Sequence, residues 1–582
     1  MTQNNRKIAQ MFEEIADALE ILGDNPYRVQ AYRRAARVLR DLDRDVEEIL
    51  RTEGPVGLER IPGIGERMTA KIIEYLREGK MSRYEEVMAK VPRGLLELMK
   101  IPGLGPRTIY MAWKQLGVTT LEELIQAIEE GKLQRLPGMG PRKVENILKG
   151  IEIYRRMSGR IPLGYAYPLI QQIVEVLAQH PEVEQISPAG SFRRMKETVG
   201  DLDLLATGKE GGKIVQAFVS LPQVTRVLAA GDTKGSAIFE DKYQVDLRVV
   251  PSDAYGAALQ YFTGSKEHNI HLRAIARERA MKISEYGVFR GDKRIAGKTE
   301  EEVYAALDMD WIPPELREDR GEIEAAMQHR LPDLVAYEAI RGDLHVHSRY
   351  SDGHSSLKEI MEEAARLGYA YVAVTDHSVS LKVAHGLDAE QVAKKLREIQ
   401  QLNQQSENVR LLAGAEVEIL PDGSLDYPDE ILAQLDYVIV AVHQWRRDEE
   451  VTQRVLRAME NPYVHAIAHP TGRLLTGRPV YRIDLDAVAQ RAAALGVALE
   501  INGHAERLDL NDVHILRVKK YGVKFVLGTD AHHHSQMWMM RLAVGQARRG
   551  WCAPEHIINT RSYHELTKFL TQRRKRLVET RS

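Results

Sequence analysis

The chain has 582 residues and a net charge of −2, with 44% apolar and 28% charged residues. That length suggests about four domains, and the balance is that of soluble globular protein. A single cysteine, Cys552, excludes an intrachain disulfide and any cysteine-based zinc finger. No run of about 18 apolar residues exists to span a membrane. The polar start MTQNNRKIAQMFEEIADALE has no apolar signal core, so a reducing cytoplasm is the expected address.

The N-terminal third repeats itself. LERIPGIGERMTAKII (58–73) recurs as LMKIPGLGPRTIYMAW (98–113) and as LQRLPGMGPRKVENIL (133–148). The Pro-Gly-x-Gly cores begin at Pro62, Pro102 and Pro137, each between two expected helices. Their glycine pairs, Gly63 and Gly65, Gly103 and Gly105, Gly138 and Gly140, permit a tight turn. They also bring backbone N–H groups to the surface at a helix N-terminus, where a phosphate binds without a base being read. Arg67, Arg107, Arg142 and Lys143 add charge, and residues 51–150 carry 17 Lys and Arg against 13 Asp and Glu. Three copies in one frame resemble helix-hairpin-helix motifs, which implies binding to the DNA backbone. Lys71, on the helix after the first turn, could form a Schiff base with an abasic sugar and eliminate the 5′ phosphate.

From about Arg160 to Val250 the pattern becomes mixed α/β, with a helix expected over 168–179. ISPAGSFRRMKETVGDLDLLAT (186–207) places Gly190 and Ser191 in a small-residue turn before Arg193 and Arg194. Gly200, Asp201 and Asp203 follow; period two within a strand-like run puts both carboxylates on one face. YQVDLRVV (243–250) offers Asp246. Three carboxylates together repel unless cations lie between them, and two Mg²⁺ about 4 Å apart would satisfy them. They would activate a 3′ hydroxyl and stabilise the leaving pyrophosphate. Ser191, local N–H groups and Arg194 would hold a triphosphate.

With YFTGSKEHNIHLRAIARERAMKISEYGVF (261–289) the chain resembles the family X DNA polymerases, from its N-terminus to about residue 318. The resemblance implies that Tyr261, Phe262 and Gly264 pack on the deoxyribose and exclude a 2′ hydroxyl. It implies that Asn269 reads the minor-groove edge of the incoming nucleotide, that Arg273 touches the template strand, and that Arg160 and Arg194 contact the triphosphate. Lys71 matches the family's lyase lysine. Gln244 stands where the family has an arginine near the primer end. Lys266 replaces an aspartate over the incoming base and could hold the nucleotide by its phosphates too. In the 5′-phosphate pocket Tyr27, Arg28 and Arg67 stand for a histidine and two lysines, with Tyr32 a further DNA-contacting candidate.

Residues 301–340 carry 3 Lys and Arg against 11 Asp and Glu and read as an acidic connector. A new rhythm follows. Of 19 histidines, 13 lie between His345 and His534. His345 and His347 form a His-x-His pair in GDLHVHS. Later apolar runs end in His377, His443, His469, and Asp530 with His532, and one holds Glu416; Asp352 follows the first run, and a further run outside this set of nine ends in Asn502. Short apolar runs separated by helices mean a parallel sheet buried on both faces. Polar groups at the C-terminal ends of strands are how a β/α barrel builds its site. An all-N/O set of nine ligands fits two or three Mn²⁺, Zn²⁺ or Fe ions, which activate water against a phosphodiester. His354, His385, His465, His504, His533 and His534 are expected to be bystanders or supporting groups. This third resembles the PHP metal-phosphoesterase domain at all nine ligand positions. RLDLND (507–512) also matches, without an assigned chemistry.

The expected fold is therefore multidomain α/β: a helical helix-hairpin-helix region, a nucleotidyltransferase α+β palm with a thumb, and a PHP (β/α)7-like barrel. Expected boundaries are 1–90 for the 8-kDa-like domain, 91–158 for fingers, 159–255 for the palm and 256–318 for the thumb. The linker is 319–340 and the barrel 341–575. The resemblance implies a repair polymerase that fills short gaps, with a 3′–5′ exonuclease and AP-endonuclease or 3′-end-processing activity in the barrel. Its cofactors would be two Mg²⁺ or Mn²⁺ in the palm and two or three Mn²⁺, Zn²⁺ or Fe in the barrel. Its partners would be deoxynucleotides and gapped or nicked duplex with a 5′ phosphate, bound by a monomer near the nucleoid. The alternatives are a barrel that is only structural, a small-molecule phosphatase barrel, or a nucleotidyltransferase acting on RNA or a small molecule.

Overall fold

A computed structural model describes residues 3–42, 44–61, 63–101, 103–157, 160–445, 449–475 and 480–579. Pro62 and Pro102, the first residues of two repeat turns, lie outside them. The chain forms two compact units, Met1–Ser158 and Gly159–Ser582.

The first unit is helical. Its helices start at clear signals: Asn25 caps Pro26–Asp41, and Thr120 with Glu123 forms a capping box on Leu121–Glu129. The three repeat turns lead into Glu66–Glu78, Pro106–Leu116 and Pro141–Met157. One apolar core cluster runs from Ile8 to Ile151, so the boundary expected at residue 90 passes through a continuous core.

The second unit begins with a five-stranded sheet: β1 (Val183–Pro188), β2 (Leu202–Gly208), β3 (Val224–Ala230), β4 (Lys234–Phe239) and β5 (Tyr243–Val250), in the order β1-β2-β5-β4-β3. Only β2 and β5 pair in parallel. The helix expected over 168–179 begins earlier and runs Leu163–Ala178. Next come helices Tyr255–Thr263 and Lys266–Glu278 and three short antiparallel strands, β6 (Lys282–Ser284), β7 (Gly287–Arg290) and β8 (Lys293–Ala296).

The acidic connector is not a loose linker. Ile312, Leu316, Ile323, Ala326 and Leu334 belong to the same core as Ala257 and Leu272. Three of its acids enter largely buried pairs: Glu315 with Arg548, Glu318 with Arg194 and Arg549, and Glu322 with His268.

Seven parallel strands then follow in sequential order: β9 (Gly342–Val346), β10 (Tyr371–Val374), β11 (Arg410–Glu418), β12 (Tyr437–Ala441), β13 (Ala466–Ile467), β14 (Ala498–Asn502) and β15 (Phe525–Gly528). The ends meet where Asp530 N–H donates to His345 O and His347 N–H to Ala531 O, both at 2.8 Å. Nearly every strand residue is buried, as helices on the outer face require.

Candidate active sites

In the palm, β2 and β5 place Asp203 directly opposite Asp246. Asp201, expected inside the strand, lies in the bend just before β2 and is exposed. Burial, and then the charges of Asp201 and Asp246, push Asp203 up to about 6. Burial acts the same way on Asp246. There it is outweighed by hydrogen bonds from Ser236 Oγ (2.6 Å) and Gln244 Nε2 (3.2 Å) and by Lys234, which hold it below the usual carboxylate range. Carboxylates that strain against ionising side by side are a fitting bed for divalent cations.

The short helix Gly190–Arg193 sits over this pair. Gly190 has φ +60, and a Cβ there would lie 3.1 Å from Asp203 Oδ2, so only glycine brings the turn so close. Ser191 occupies the same turn. Arg160 bonds Thr198 Oγ1 at 3.0 Å and lies beside Gly200. Arg194 is buried, paired with Glu318 at 3.0 Å, and donates to the carbonyl of Thr263, next to Gly264. Asn269 donates to Tyr261 O at 2.8 Å and accepts from Gln260 at 2.7 Å, which locks the Tyr261–Gly264 segment onto the following helix. Tyr261 meets Phe262 edge-on, with the Arg273 guanidinium over the Tyr261 ring at 5.3 Å. Lys266 is exposed in that helix's first turn.

In the barrel, Glu416 is the hub. Its oxygens lie 2.9 Å from His469 Nε2, 3.1 Å from His377 Nδ1, 3.3 Å from His443 Nε2 and 3.4 Å from His345 Nε2. His345 and His347 bring their Nε2 atoms to 3.1 Å. Among the described residues, three overlapping groups have ligand atoms all within 4.8 Å of one another: His347, Asp352, His377 and His532; His345, His347 and Glu416; His377, Glu416 and His443. Asp530 completes the set, 3.2 Å from His347 Nε2.

The residues present fit a cluster of divalent cations. His347 Nδ1 and His469 Nδ1 are buried without a hydrogen-bond partner, and a shared cation is the ordinary answer to imidazoles packed this tightly. The electrostatics agree. Burial holds His377 and His469 down at about 3, neutral and ready to ligate. His443 and His532 overcome burial through Glu416 and Asp352 respectively and rise to about 9.

Along its whole length the chain is similar to "DNA polymerase/3'-5' exonuclease PolX" of Bacillus subtilis: 39% identity over 573 residues, 97% of this chain and 99% of that protein. This chain belongs to the family X DNA polymerases that carry a PHP domain. Family models agree: "Helix-hairpin-helix domain" matches residues 3–81, "SAM-like Helix-hairpin-helix tandem" 95–152, "DNA polymerase beta thumb" 258–318 and "PHP domain" 343–474. Rat "DNA polymerase lambda" is 28% identical over 353 residues, 54% of this chain and 57% of that one. A "Probable phosphatase" of Syntrophotalea carbinolica is 34% identical over 231 residues, 37% of this chain and 90% of that one.

Apart from Arg273, the DNA-binding candidates of this family X chain lie in the first unit. Gly63, Gly103 and Gly138 have φ of +93, +89 and +73, as the turns demand. Gly65, Gly105 and Gly140 precede the helices, and a Cβ on any of them would touch nothing within 4 Å. Arg28 is half-exposed and paired with Asp24. Tyr32 is buried against Phe12, with Lys71 over its ring at 5.7 Å. Lys71 donates to Arg67 O at 2.7 Å; partial burial, then Arg83 and Arg67, lower its pKa.

Several supporting groups escaped the sequence reading. Glu500 binds His345 Nδ1 at 2.7 Å and accepts from the His469 backbone at 2.6 Å. Glu418 binds His443 Nδ1 at 2.8 Å. Each stands two residues from a noted strand-end group, Asn502 or Glu416, so period two could have found them. In RLDLND, Arg507 pairs with Asp530 at 3.1 Å, and Asp509 takes the Thr471 hydroxyl and N–H. His533 and His534 bond Ser535 and Ser355, away from the cluster.

Proposed function

We propose that this polymerase fills short gaps during base-excision-type repair and that its barrel trims the 3′ end on which its palm builds. The observation that carries this reading is the presence, in one compact unit, of two separate centres: the Asp203–Asp246 pair and the histidine cluster around Glu416. The chain is an enzyme, a nucleotidyltransferase joined to a phosphoesterase. The printed activity of the Bacillus subtilis relative, synthesis together with 3′–5′ exonuclease, supports the pairing.

Asp201, Asp203 and Asp246 would hold two Mg²⁺ or Mn²⁺, which supply charge for the 3′ oxygen and the departing pyrophosphate. Gly190, Ser191, Arg160 and Arg194 would grip the triphosphate, with Gly200 leaving room for Arg160. Tyr261, Phe262 and Gly264 form the wall against a 2′ hydroxyl; Asn269 and Lys266 meet the nucleotide and Arg273 the template. The glycine turns, with Arg28, Tyr32 and Arg67, would hold the DNA backbone and the 5′ phosphate. In the barrel, His345, His347, Asp352, His377, Glu416, His443, His469, Asp530 and His532 would hold two or three Mn²⁺, Zn²⁺ or Fe ions, a set that also suits abasic-site and blocked-end processing. The protein would act as a monomer in the cytoplasm, at the nucleoid.

A 5′-labelled primer on a one-nucleotide gap with a 5′ phosphate tests the reading, with and without deoxynucleotides, in Mg²⁺ and in Mn²⁺. Extension should vanish only in Asp246→Ala, and shortening only in His345→Ala. Shortening that persists in His345→Ala would overturn the barrel's role; extension absent in both metals would overturn the palm's. The phosphatase relatives favour one alternative, a barrel that cleaves small phosphate esters. Phosphate release from such esters with DNA untouched would establish it.

A further inference from the structure

The turn carrying Gly190, Ser191 and Arg194 is not held by the palm alone. The carbonyls just beyond the short helix Gly190–Arg193 are taken by side chains of the barrel helix Met540–Arg549. Gln546 Nε2 donates to Met195 O at 2.8 Å, and Arg549 Nη1 donates to Arg194 O at 2.6 Å. Both donors are buried, Gln546 at 0% and Arg549 at 3% exposure. Carbonyls at a helix end need such partners, and a cation suits them best. Arg549 also reaches Glu318 at 3.0 Å, the carboxylate that pairs with Arg194. Met195 has φ +54 and lies against Gly545, where a Cβ would come within 2.5 Å of its side chain.

The turn's other flank is held too. Phe192 stacks on Tyr167, and Tyr167 on Trp538, with centroids 5.5 Å apart in each pair. Trp538 lies in the turn His534–Met539, shortly after the barrel ligand His532.

We propose that Gln546 and Arg549 are positioning residues for the polymerase site: the barrel helix sets the turn that grips the nucleotide's phosphates. This rests on the reading of Ser191 and Arg194 as triphosphate contacts. A phosphate-binding turn must be held close to its productive geometry by neighbours whose own conformations are locked. Phosphate contacts that persist from ground state to transition state act on KM and leave kcat in place. Residues that merely glue two domains would show no such split.

The test uses the full chain with Gln546→Met, Arg549→Lys and Arg194→Lys. Gap filling is measured across deoxynucleotide concentrations, and primer trimming is measured without nucleotides in the same preparations. Gln546→Met and Arg549→Lys should raise KM for the nucleotide about tenfold, the worth of one buried hydrogen bond, with kcat within about twofold and trimming unchanged. If Arg194→Lys raises KM and Gln546→Met does not, the inference is overturned while the nucleotide reading stands. Extension and trimming lost in parallel in Gln546→Met would also overturn it, reducing the helix to interface packing. An unchanged KM in Arg194→Lys would remove the nucleotide reading and the inference with it. If Arg549→Lys does not fold, Gln546→Met decides.

Discussion

Asp203 and Asp246 face each other across adjacent parallel strands, and the charge of Asp246 makes that of Asp203 harder to hold. Such a pair trades stability of the empty protein for a place to hold cations. Asp203→Asn should therefore lower gap filling by about a thousandfold or more while leaving the metal-free melting temperature unchanged or higher. A fall in melting temperature would mean that Asp203 is chiefly structural.

The candidate ligands of the barrel have partners behind them. Glu500 orients His345 and also binds the backbone of His469. Removing such a partner typically weakens metal binding about 10–100-fold. Glu500→Gln should lower metal content in chelator competition by that amount, with the fold retained by circular dichroism. Full metal retention would show that His345 needs no such support.

Glu318 predicts a pH dependence. Burial raises its pKa, but Arg549, Arg194 and Lys196 outweigh that and hold it at about 2, below the ordinary 4.5. A folded value below the unfolded one stabilises the fold above about pH 4.5 and loses that effect as pH falls toward about 2. Glu318→Gln should lower stability by about 2–3 kcal/mol at pH 7. The gap from wild type should close steadily below pH 4.5 in denaturant titrations. A gap independent of pH would place the effect in packing rather than charge.

The two glycines of the first hairpin should separate folding from binding. Gly63 has φ +93, so Gly63→Ala should destabilise the helical unit by about 1–2 kcal/mol. Gly65 faces open space, so Gly65→Val should leave stability nearly intact and weaken binding to duplex, because a side chain now keeps the phosphate away from the backbone N–H groups. Equal loss of stability in both variants would argue that the turns are only structural.

The lowered pKa of Lys71 makes its amine a better nucleophile near neutral pH. Borohydride should trap a covalent complex with incised abasic DNA, and Lys71→Ala should abolish it. Trapping that survives in Lys71→Ala would assign the Schiff base to another amine.

The repeats, the strand-end ligands and the carboxylate spacing were legible in the sequence because period two, period 3.6 and glycine turns are local signals. They were enough to order the domains, to point to the nine candidate ligands of the barrel, and to mark Asp201, Asp203 and Asp246, though not that Asp203 rather than Asp201 lies on the strand opposite Asp246. What tertiary structure decided lies between residues far apart in the chain. His345 finds Glu500 across 155 positions, and Arg194 finds Arg549 across 355. No local pattern announces such a meeting. The acidic connector misled for the same reason: it reads as a linker until Arg194, Arg548, Arg549 and His268 are brought against Glu315, Glu318 and Glu322. Charge in a sequence says only that a partner is needed, and folding decides whether that partner is water or a buried cation.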